Sequence, residues 1–239
     1  MDKSWYKKYS EIIDPVGKTV IDIGCGGGIY SRAWLELGAK NIIGIDFSEK
    51  MIQAAIETSN NYNNISYQVG NAISTGLSEK IGDIVFERAL IHHVSDLYKC
   101  FKEAYRLLKP GGLYIIQDRT PEDVNIVGSK DHIRGYFFEK FPHLLKIEYS
   151  RRPQSNEVEN KLKDANFTDI KTYNLWETRK IYNNFSEFTI DLRNRTARSI
   201  LHELNNEELE NLITYISNKI TDSVSITEKD CWTIWTGVR

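Results

Sequence analysis

The run Val20-Ile21-Asp22-Ile23-Gly24-Cys25-Gly26-Gly27-Gly28 constrains this chain more than any other stretch. A short apolar strand enters a turn almost without side chains, and an acid stands two residues before its first glycine. Glycine reaches φ > 0 without steric cost and lets a ligand lie against bare peptide. The next segment, Ile29 to Leu37, reads as a helix whose first N–H groups would face such a ligand. Strand, loop and helix N-terminus together make a cradle for an anionic, nucleotide-like molecule. A tight turn with no ligand has the same local sequence, so the other strand ends must decide between the two readings.

Spacing narrows the ligand. A dinucleotide fingerprint needs G-x-G-x-x-G, its third glycine allowing close helix–strand packing. Counted from Gly24 and Gly26 that third position is Ile29; counted from Gly26 and Gly28 it is Ser31. A nicotinamide or flavin dinucleotide therefore fits poorly, and the loop reads D-x-G-x-G-x-G.

Strand-like and helix-like runs alternate through the first half. Val20–Ile23, Asn41–Asp46, Ile65–Val69, Asp83–Glu87 and Leu113–Gln117 read as strands. Between them, Gly38 suits a helix end, and Ser48 can cap a helix with the apolar face Met51, Ile52, Ala55 and Ile56. Leu97, Cys100, Phe101, Ala104, Leu107 and Leu108 form an i, i+3, i+4 stripe that Lys109-Pro110-Gly111-Gly112 should end in a turn. Further on, Ser155 is placed to cap a short helix, Thr168–Leu175 reads as a sixth strand, and Cys231–Thr236 alternates as a seventh. The expected fold is α/β: a doubly wound, mostly parallel, seven-stranded Rossmann-like sheet with helices on both faces and the last strand antiparallel. A single domain over 1–239 is expected, with a cofactor-binding core at 18–118 and helical lid insertions at 119–154 and 182–221.

Ligands of open α/β sheets bind beyond the carboxyl ends of the strands. Here those ends are the glycine loop, Asp46, Gly70-Asn71-Ala72, Glu87-Arg88-Ala89-Leu90-Ile91-His92-His93 and Asp118-Arg119. Asp46 stands about 20 residues past the loop, where an acid can accept hydrogen bonds from both ribose hydroxyls.

Motif by motif, this set resembles the class I S-adenosylmethionine (SAM)-dependent methyltransferases, in particular the small-molecule and ubiquinone-biosynthesis branch. The resemblance covers about residues 18–118. It implies SAM as cofactor, S-adenosylhomocysteine as product, and Gly24, Cys25 and Gly26 against the cofactor. In Ile42–Met51 the acid Asp46 would grip the ribose, with Phe47 and Met51 flanking the adenine. Asn71-Ala72 matches a position where the family most often carries G-D-A; Asn71 departs from that acid and, being neutral, should hold the adenine amino group more weakly. Arg88, at the fourth strand end, joins the cofactor set.

Acceptor and catalytic groups are less constrained. His93, His92 and Asp118, in that order, are positional candidates for a base if the acceptor must lose a proton. Arginines crowd the second half, and His132-Ile133-Arg134-Gly135-Tyr136 mixes forked donors with aromatics, making Arg134 and Tyr136 candidates for the acceptor pocket. Tyr6 is a further candidate, on an N-terminal amphipathic stretch that either closes over the cofactor or packs on the sheet.

Charge and cysteines bound the partners. A net charge of -2 gives no electrostatic case for nucleic acid, so an acceptor in RNA or protein is the weaker alternative to a small molecule. A SAM-binding sensor, or transfer of a group other than methyl, remain the other readings. The start Met1-Asp2-Lys3-Ser4-Trp5 has no apolar leader, no run approaches membrane-spanning length, and three scattered cysteines make neither metal pattern nor disulfide framework. A cytoplasmic protein, without membrane or metal, is expected. Monomer and homodimer are not distinguished.

Overall fold

The computed structural model describes residues 3–196, 198–220 and 225–239. Residues 1, 2, 197 and 221–224 lie outside the described residues, 197 and 221 being part of the segment 182–221. The strands are β1 (Thr19–Ile23), β2 (Asn41–Asp46), β3 (Ile65–Val69), β4 (Gly82–Arg88), β5 (Leu108–Asp118), β6 (Thr168–Tyr182) and β7 (Ile226–Val238). They form one sheet in the order β3-β2-β1-β4-β5-β7-β6. β1 to β5 run parallel, and β7 runs antiparallel to both β5 and β6. The chain winds outward from β1 to β3 and returns to β4, so the crevice where binding sites form opens above β1 and β4.

Four helices explain why the central strands carry apolar residues towards both faces of the sheet. On one face Val20, Ile84, Ile115 and Ile234 pack on α1 (Lys3–Ile12) and α2 (Ile29–Glu36) through Trp5, Tyr9 and Trp34. Their chain neighbours Ile21, Val85, Ile116 and Trp235 point the other way, onto Phe101 and Leu107 of one helix and Leu162 of another. A strand covered on both faces must be apolar throughout. The side chain of Ser48 caps α3 (Glu49–Thr58), and Gly38, at φ 98°, follows the end of α2, both as the sequence indicates.

Three boundaries differ from expectation. The stripe helix, α4 (Leu97–Leu107), ends one residue early, and Leu108 already pairs with Gly82 as the start of β5. Lys109-Pro110-Gly111-Gly112 is therefore a bulge inside the strand, lying opposite Asp83 before Leu113 rejoins beside Ile84. Asp83 holds it, accepting from Lys109 Nζ at 2.8 Å with one oxygen and from the Thr19 amide at 2.8 Å with the other.

Second, Ser155 is the first residue of its helix, with Gln154 before it. Its hydroxyl accepts from Trp235 Nε1 at 2.9 Å instead of capping. Third, β6 and β7 pair far beyond the expected strands, as far as Tyr182 opposite Ile226. Glu177 to Lys180 and Thr227 to Asp230 disguise this arm, because the charges of Glu177, Arg179, Glu228 and Asp230 are paired in the interior and not turned outward.

The remaining helices form a layer over the carboxyl end of the sheet. α5 (Pro121–Val124), α6 (Gly135–Lys140) and α7 (Pro142–Arg151) precede the Ser155–Asp164 helix, α8; α9 (Phe185–Arg193) and α10 (Asn206–Lys219) follow the β6 arm. Segments 119–154 and 182–220 share one apolar core, in which Phe137, Leu144, Phe188, Leu201, Leu212 and Ile216 are buried. Gly135 allows that packing. A Cβ there would stand 2.3 Å from Gly128 N and 2.5 Å from Ile126 O, both backbone atoms that cannot swing aside. Gly135→Ala is expected to destabilise the protein by about 1–3 kcal/mol, read as a lowered denaturation midpoint.

Candidate active site

The glycine loop lies where β1 meets α2. Gly24, Gly26 and Gly28 hold φ of 74°, 50° and 74°, a region that side chains disfavour. The amides of Gly24 and Cys25 both donate to Ile45 O, at 2.7 and 2.9 Å, which ties the loop to β2. The next amide, Gly26 N, donates to Asp46 Oδ2 at 2.9 Å, while Asp46 Oδ1 accepts from Ser48 N at 2.9 Å. Asp46 is thus fixed by two backbone donors, and each oxygen keeps a lone pair for a ligand hydroxyl. A Cβ on Gly26 or Gly27 would meet nothing within 4 Å, so the loop faces open space wide enough for a ligand to approach the peptide.

Beneath the loop, Asp22 is fully enclosed and accepts from Ser31 Oγ at 2.5 Å. Burial pushes its carboxyl up to about 7, against the lowering effect of that hydrogen bond.

A cavity of about 460 Å³ opens beside the loop, walled by Asp46, Phe47, Asn71, Ala72, Leu90 and His93 among others. Phe47 is 79% exposed on its rim. Asn71 Oδ1 accepts from the Ile73 amide at 3.1 Å and retains a second lone pair. A smaller cavity of about 200 Å³ continues over Gly24 to Gly27 as far as Tyr30 and Arg88.

Across Ala89 and His93 lies a third cavity, about 530 Å³, of different character. Its wall carries His92, His93 and five arginines, Arg88, Arg119, Arg134, Arg152 and Arg179. His92 Nδ1 stands 2.8 Å from Asp118 Oδ2. Asp118 also takes hydrogen bonds from Arg152 Nη1 at 3.1 Å and the Arg119 amide at 2.8 Å. Burial alone would raise the Asp118 carboxyl, but His92 and Arg152 hold it below the usual carboxylate range. An ionised Asp118 fixes the proton of His92 on Nδ1 and leaves Nε2 as the acceptor. His93 is lowered, first by burial and then by its neighbour His92.

Arg88 is clamped between aromatic rings, with Cζ 4.3 Å from the Tyr30 ring and 4.2 Å from that of Trp232. Its Nη2 meets Glu177 Oε2 at 3.0 Å. Glu177 in turn accepts from Gln117 Nε2 at 2.8 Å, and Gln117 Oε1 accepts from Tyr9 OH at 2.9 Å and Trp5 Nε1 at 3.2 Å.

The structure thus gathers Gly24, Cys25, Gly26, Asp46, Phe47, Asn71, Ala72, Arg88, His92, His93 and Arg134 around connected cavities, with Asp118 directly behind His92. Three candidates lie elsewhere. Met51 sits on the first turn of α3, half-exposed and outside the cavity walls. Tyr6 bonds Glu36 of α2, because the N-terminal helix packs on the sheet through Trp5 and Tyr9. Tyr136 is buried against Gly128 and Tyr215 in the helical layer.

Arg134 reaches the cavity but is held by Asp230, Nε to Oδ1 at 3.0 Å. Sequence reasoning passed over Glu177 and left Arg119 unranked among the arginines. The place of Arg119 directly after a strand end was the available signal. No helix among the described residues is long and apolar enough to cross a membrane.

Comparison with known proteins bears on the same region. Residues 21–116 match the family described as a methyltransferase domain. A ubiquinone biosynthesis O-methyltransferase of Pelagibacter ubique is 35% identical over 98 residues, 41% of this chain and 40% of that protein. A malonyl-[acyl-carrier protein] O-methyltransferase of Serratia marcescens is 25% identical over 163 residues, 65% of this chain and 60% of that protein. The chain thus spans less than two thirds of these curated relatives. Among solved structures, a protein of Anabaena variabilis described as a methyltransferase from an antibiotic biosynthesis pathway superposes with TM-score 0.76 at 18% identity, over 99% of this chain and 97% of that one. Phosphoethanolamine N-methyltransferase 2 of Haemonchus contortus, in complex with phosphomonomethylethanolamine and S-adenosylhomocysteine, gives TM-score 0.62 at 21% identity, over 100% of this chain and 54% of that one. At such identities the likeness is one of fold.

Proposed function

We propose that this chain, which carries a class I S-adenosylmethionine-dependent methyltransferase domain, transfers the SAM methyl group to a nucleophilic atom of a small molecule by in-line displacement. The observation that carries this reading is the join between a nucleoside-sized cavity at the glycine loop and a charged cavity across Ala89 and His93. One cavity suits the cofactor and the other an acceptor. Asp46 would hold the ribose hydroxyls, Phe47 and Asn71 the adenine, and the peptides of Gly24 and Gly26 the amino-acid end, with Arg88 beside them. SAM supplies a methyl group already made electrophilic by its sulfonium. The protein's work is to hold the acceptor in line and to exclude water.

For an acceptor that must lose a proton, His92 Nε2 is the base, and Asp118 holds the imidazole in the required tautomer. The helical layer of 119–154 and the described residues of 182–221 contributes Arg119, Arg134, Arg152 and Ser199 to the acceptor cavity and belongs to acceptor choice. The cysteines are unpaired and buried, as suits the reducing cytoplasm to which we assign the protein.

The test is calorimetric binding of SAM and S-adenosylhomocysteine, followed by incubation with methyl-labelled SAM and fractionated cell extract. Micromolar binding and label in a metabolite are expected. Label in RNA or protein would replace the acceptor class, and binding without label in any fraction would favour a sensor. Asp46→Ala is expected to weaken SAM binding by about 1–3 kcal/mol, through lost ribose hydrogen bonds and a loosened Gly26. Unchanged affinity would remove Asp46 from the site.

A further inference from the structure

Among the five arginines of the acceptor cavity, four already have acids. Arg88 pairs with Glu177 at 3.0 Å, Arg134 with Asp230 at 3.0 Å, Arg152 with Glu148 at 2.6 Å and Arg179 with Glu228 at 2.9 Å. Two of these acids, Glu148 and Glu228, stand behind the wall, and the other two, Glu177 and Asp230, reach the cavity lining. Arg119 differs. It is 9% exposed, and neither Nε nor Nη1 has a hydrogen-bond partner among the described residues. Its close neighbours are the Trp232 ring, 5.0 Å from Cζ, and the charges of Arg134, Asp230, Arg152 and Glu148, both acids being already bonded to other arginines. Burial and Arg134 together bring its guanidinium down to about 9.

A buried charge left without a partner is costly, and proteins rarely retain one unless something else satisfies it. A guanidinium offers parallel N–H donors in a plane, which match the two oxygens of a carboxylate or phosphate. The acids within reach are already engaged by other arginines or by His92, so the matching anion must come from outside the chain.

We propose that the acceptor carries a carboxylate or phosphate group, distinct from the atom that is methylated, and that Arg119 anchors it in the cavity lined by Arg134 and Arg152. This rests on the methyltransferase reading above and specifies its substrate class. Arg119 follows Asp118 in the chain, so the anchored group lies on the same wall as the His92 base. The reacting atom then faces the side where the two cavities meet, at Ala89 and His93. Asp230 completes the device. It neutralises Arg134, so that one cation and not two stands open to the ligand.

Protein saturated with S-adenosylhomocysteine should be titrated with inorganic phosphate and, separately, with succinate. Wild type is expected to bind at least one of them saturably, and Arg119→Gln to lose about 10- to 100-fold in affinity, with Arg119→Lys between. The control Arg193→Gln alters an exposed arginine paired with Glu210, outside the cavity lining, and should bind as wild type does. Phosphate alone binding indicates a phosphate anchor, and succinate alone a carboxylate. No saturable binding of either anion to wild type, or equal binding by Arg119→Gln, overturns the proposal.

A second readout separates this inference from the one beneath it. Without ligand, Arg119→Gln should melt at or above the wild-type temperature, because the unpaired charge is removed; a purely structural arginine would melt lower. SAM affinity should stay unchanged in the same variant. If wild type fails to bind SAM, the methyltransferase reading falls. If SAM binds and transfer occurs only to acceptors that pass unretained through an anion exchanger, this inference alone falls.

Discussion

His92→Ala is expected to lower the rate of methyl transfer by about 10²- to 10⁴-fold while leaving SAM affinity within about twofold. His92 lines the acceptor cavity, and its Nδ1 is held 2.8 Å from a carboxylate that is fully buried and kept ionised. That leaves Nε2 as an acceptor on the same cavity wall. Asp118→Asn should cost a similar factor without emptying the site, because the amide can present its N–H to Nδ1 and so favour the wrong tautomer. Imidazole added to the buffer should restore part of the activity of His92→Ala and none of that of Asp118→Asn. Absence of rescue, with full activity at His93→Ala and none at His92→Ala, would assign His92 a positioning role. Full activity of His92→Ala would mean that the acceptor needs no base, as for a neutral amine or a thiolate already formed in solution.

Sequence ranked His93 ahead of His92, and the reason is instructive. The two are adjacent in a 3₁₀ turn, Ile91–His93, and nothing in the sequence says which ring meets Asp118, 26 residues later. Only the parallel pairing of β4 with β5 brings their carboxyl ends together, with Arg88 beside Gln117. By contrast, the glycine loop and Asp46 were legible because a local backbone requirement dictates both. φ > 0 calls for glycine, and a strand that ends opposite the loop sets the acid in place.

The arm formed by β6 and β7 was half legible. Its lower part alternates as a strand should, but Glu177 to Lys180 and Thr227 to Asp230 resemble a solvated surface. Their charges are matched by partners far along the chain, Arg134 with Asp230 and Arg179 with Glu228. Pairings of this kind leave no period to read. Tyr136 was drawn towards the site by the donors and aromatics beside it, and Tyr6 by an amphipathic stretch for which packing on the sheet was the other reading; packing against α2 and within the helical layer determines where they go.

Glu87→Gln is expected to change the pH dependence of stability more than any other single substitution here. Glu87 is fully buried at the end of β4, with the weak donor Cys100 Sγ at 3.4 Å. Burial pushes its carboxyl up to about 8. The native state therefore keeps this proton over a range where an unfolded glutamate, near 4.3, has already lost it. Because the native state binds the extra proton, stability must fall as pH rises from about 4.5 to about 8, by about 1.4 kcal/mol per pH unit. Glutamine carries no such proton. The variant and wild type should be equally stable near pH 4.5 and diverge steadily, with the variant several kcal/mol more stable at pH 8 by denaturant unfolding. Asp22, raised to about 7, adds a slope of the same sign to both proteins and cancels from the comparison. Parallel stability curves would mean that Glu87 ionises normally in the folded state.

Glu87 also bears on catalysis, through Asp118. Asp118 adds to the rise of Glu87, and the two carboxyls are driven apart, one held ionised by His92 and Arg152 and the other kept neutral by burial. At neutral pH a single negative charge thus stands behind His92, on the carboxylate whose oxygens reach Nδ1. Ionising Glu87 above pH 8 would place a second beneath it. Glu87→Gln keeps the neutral form at every pH, so transfer by the variant should match wild type at pH 7.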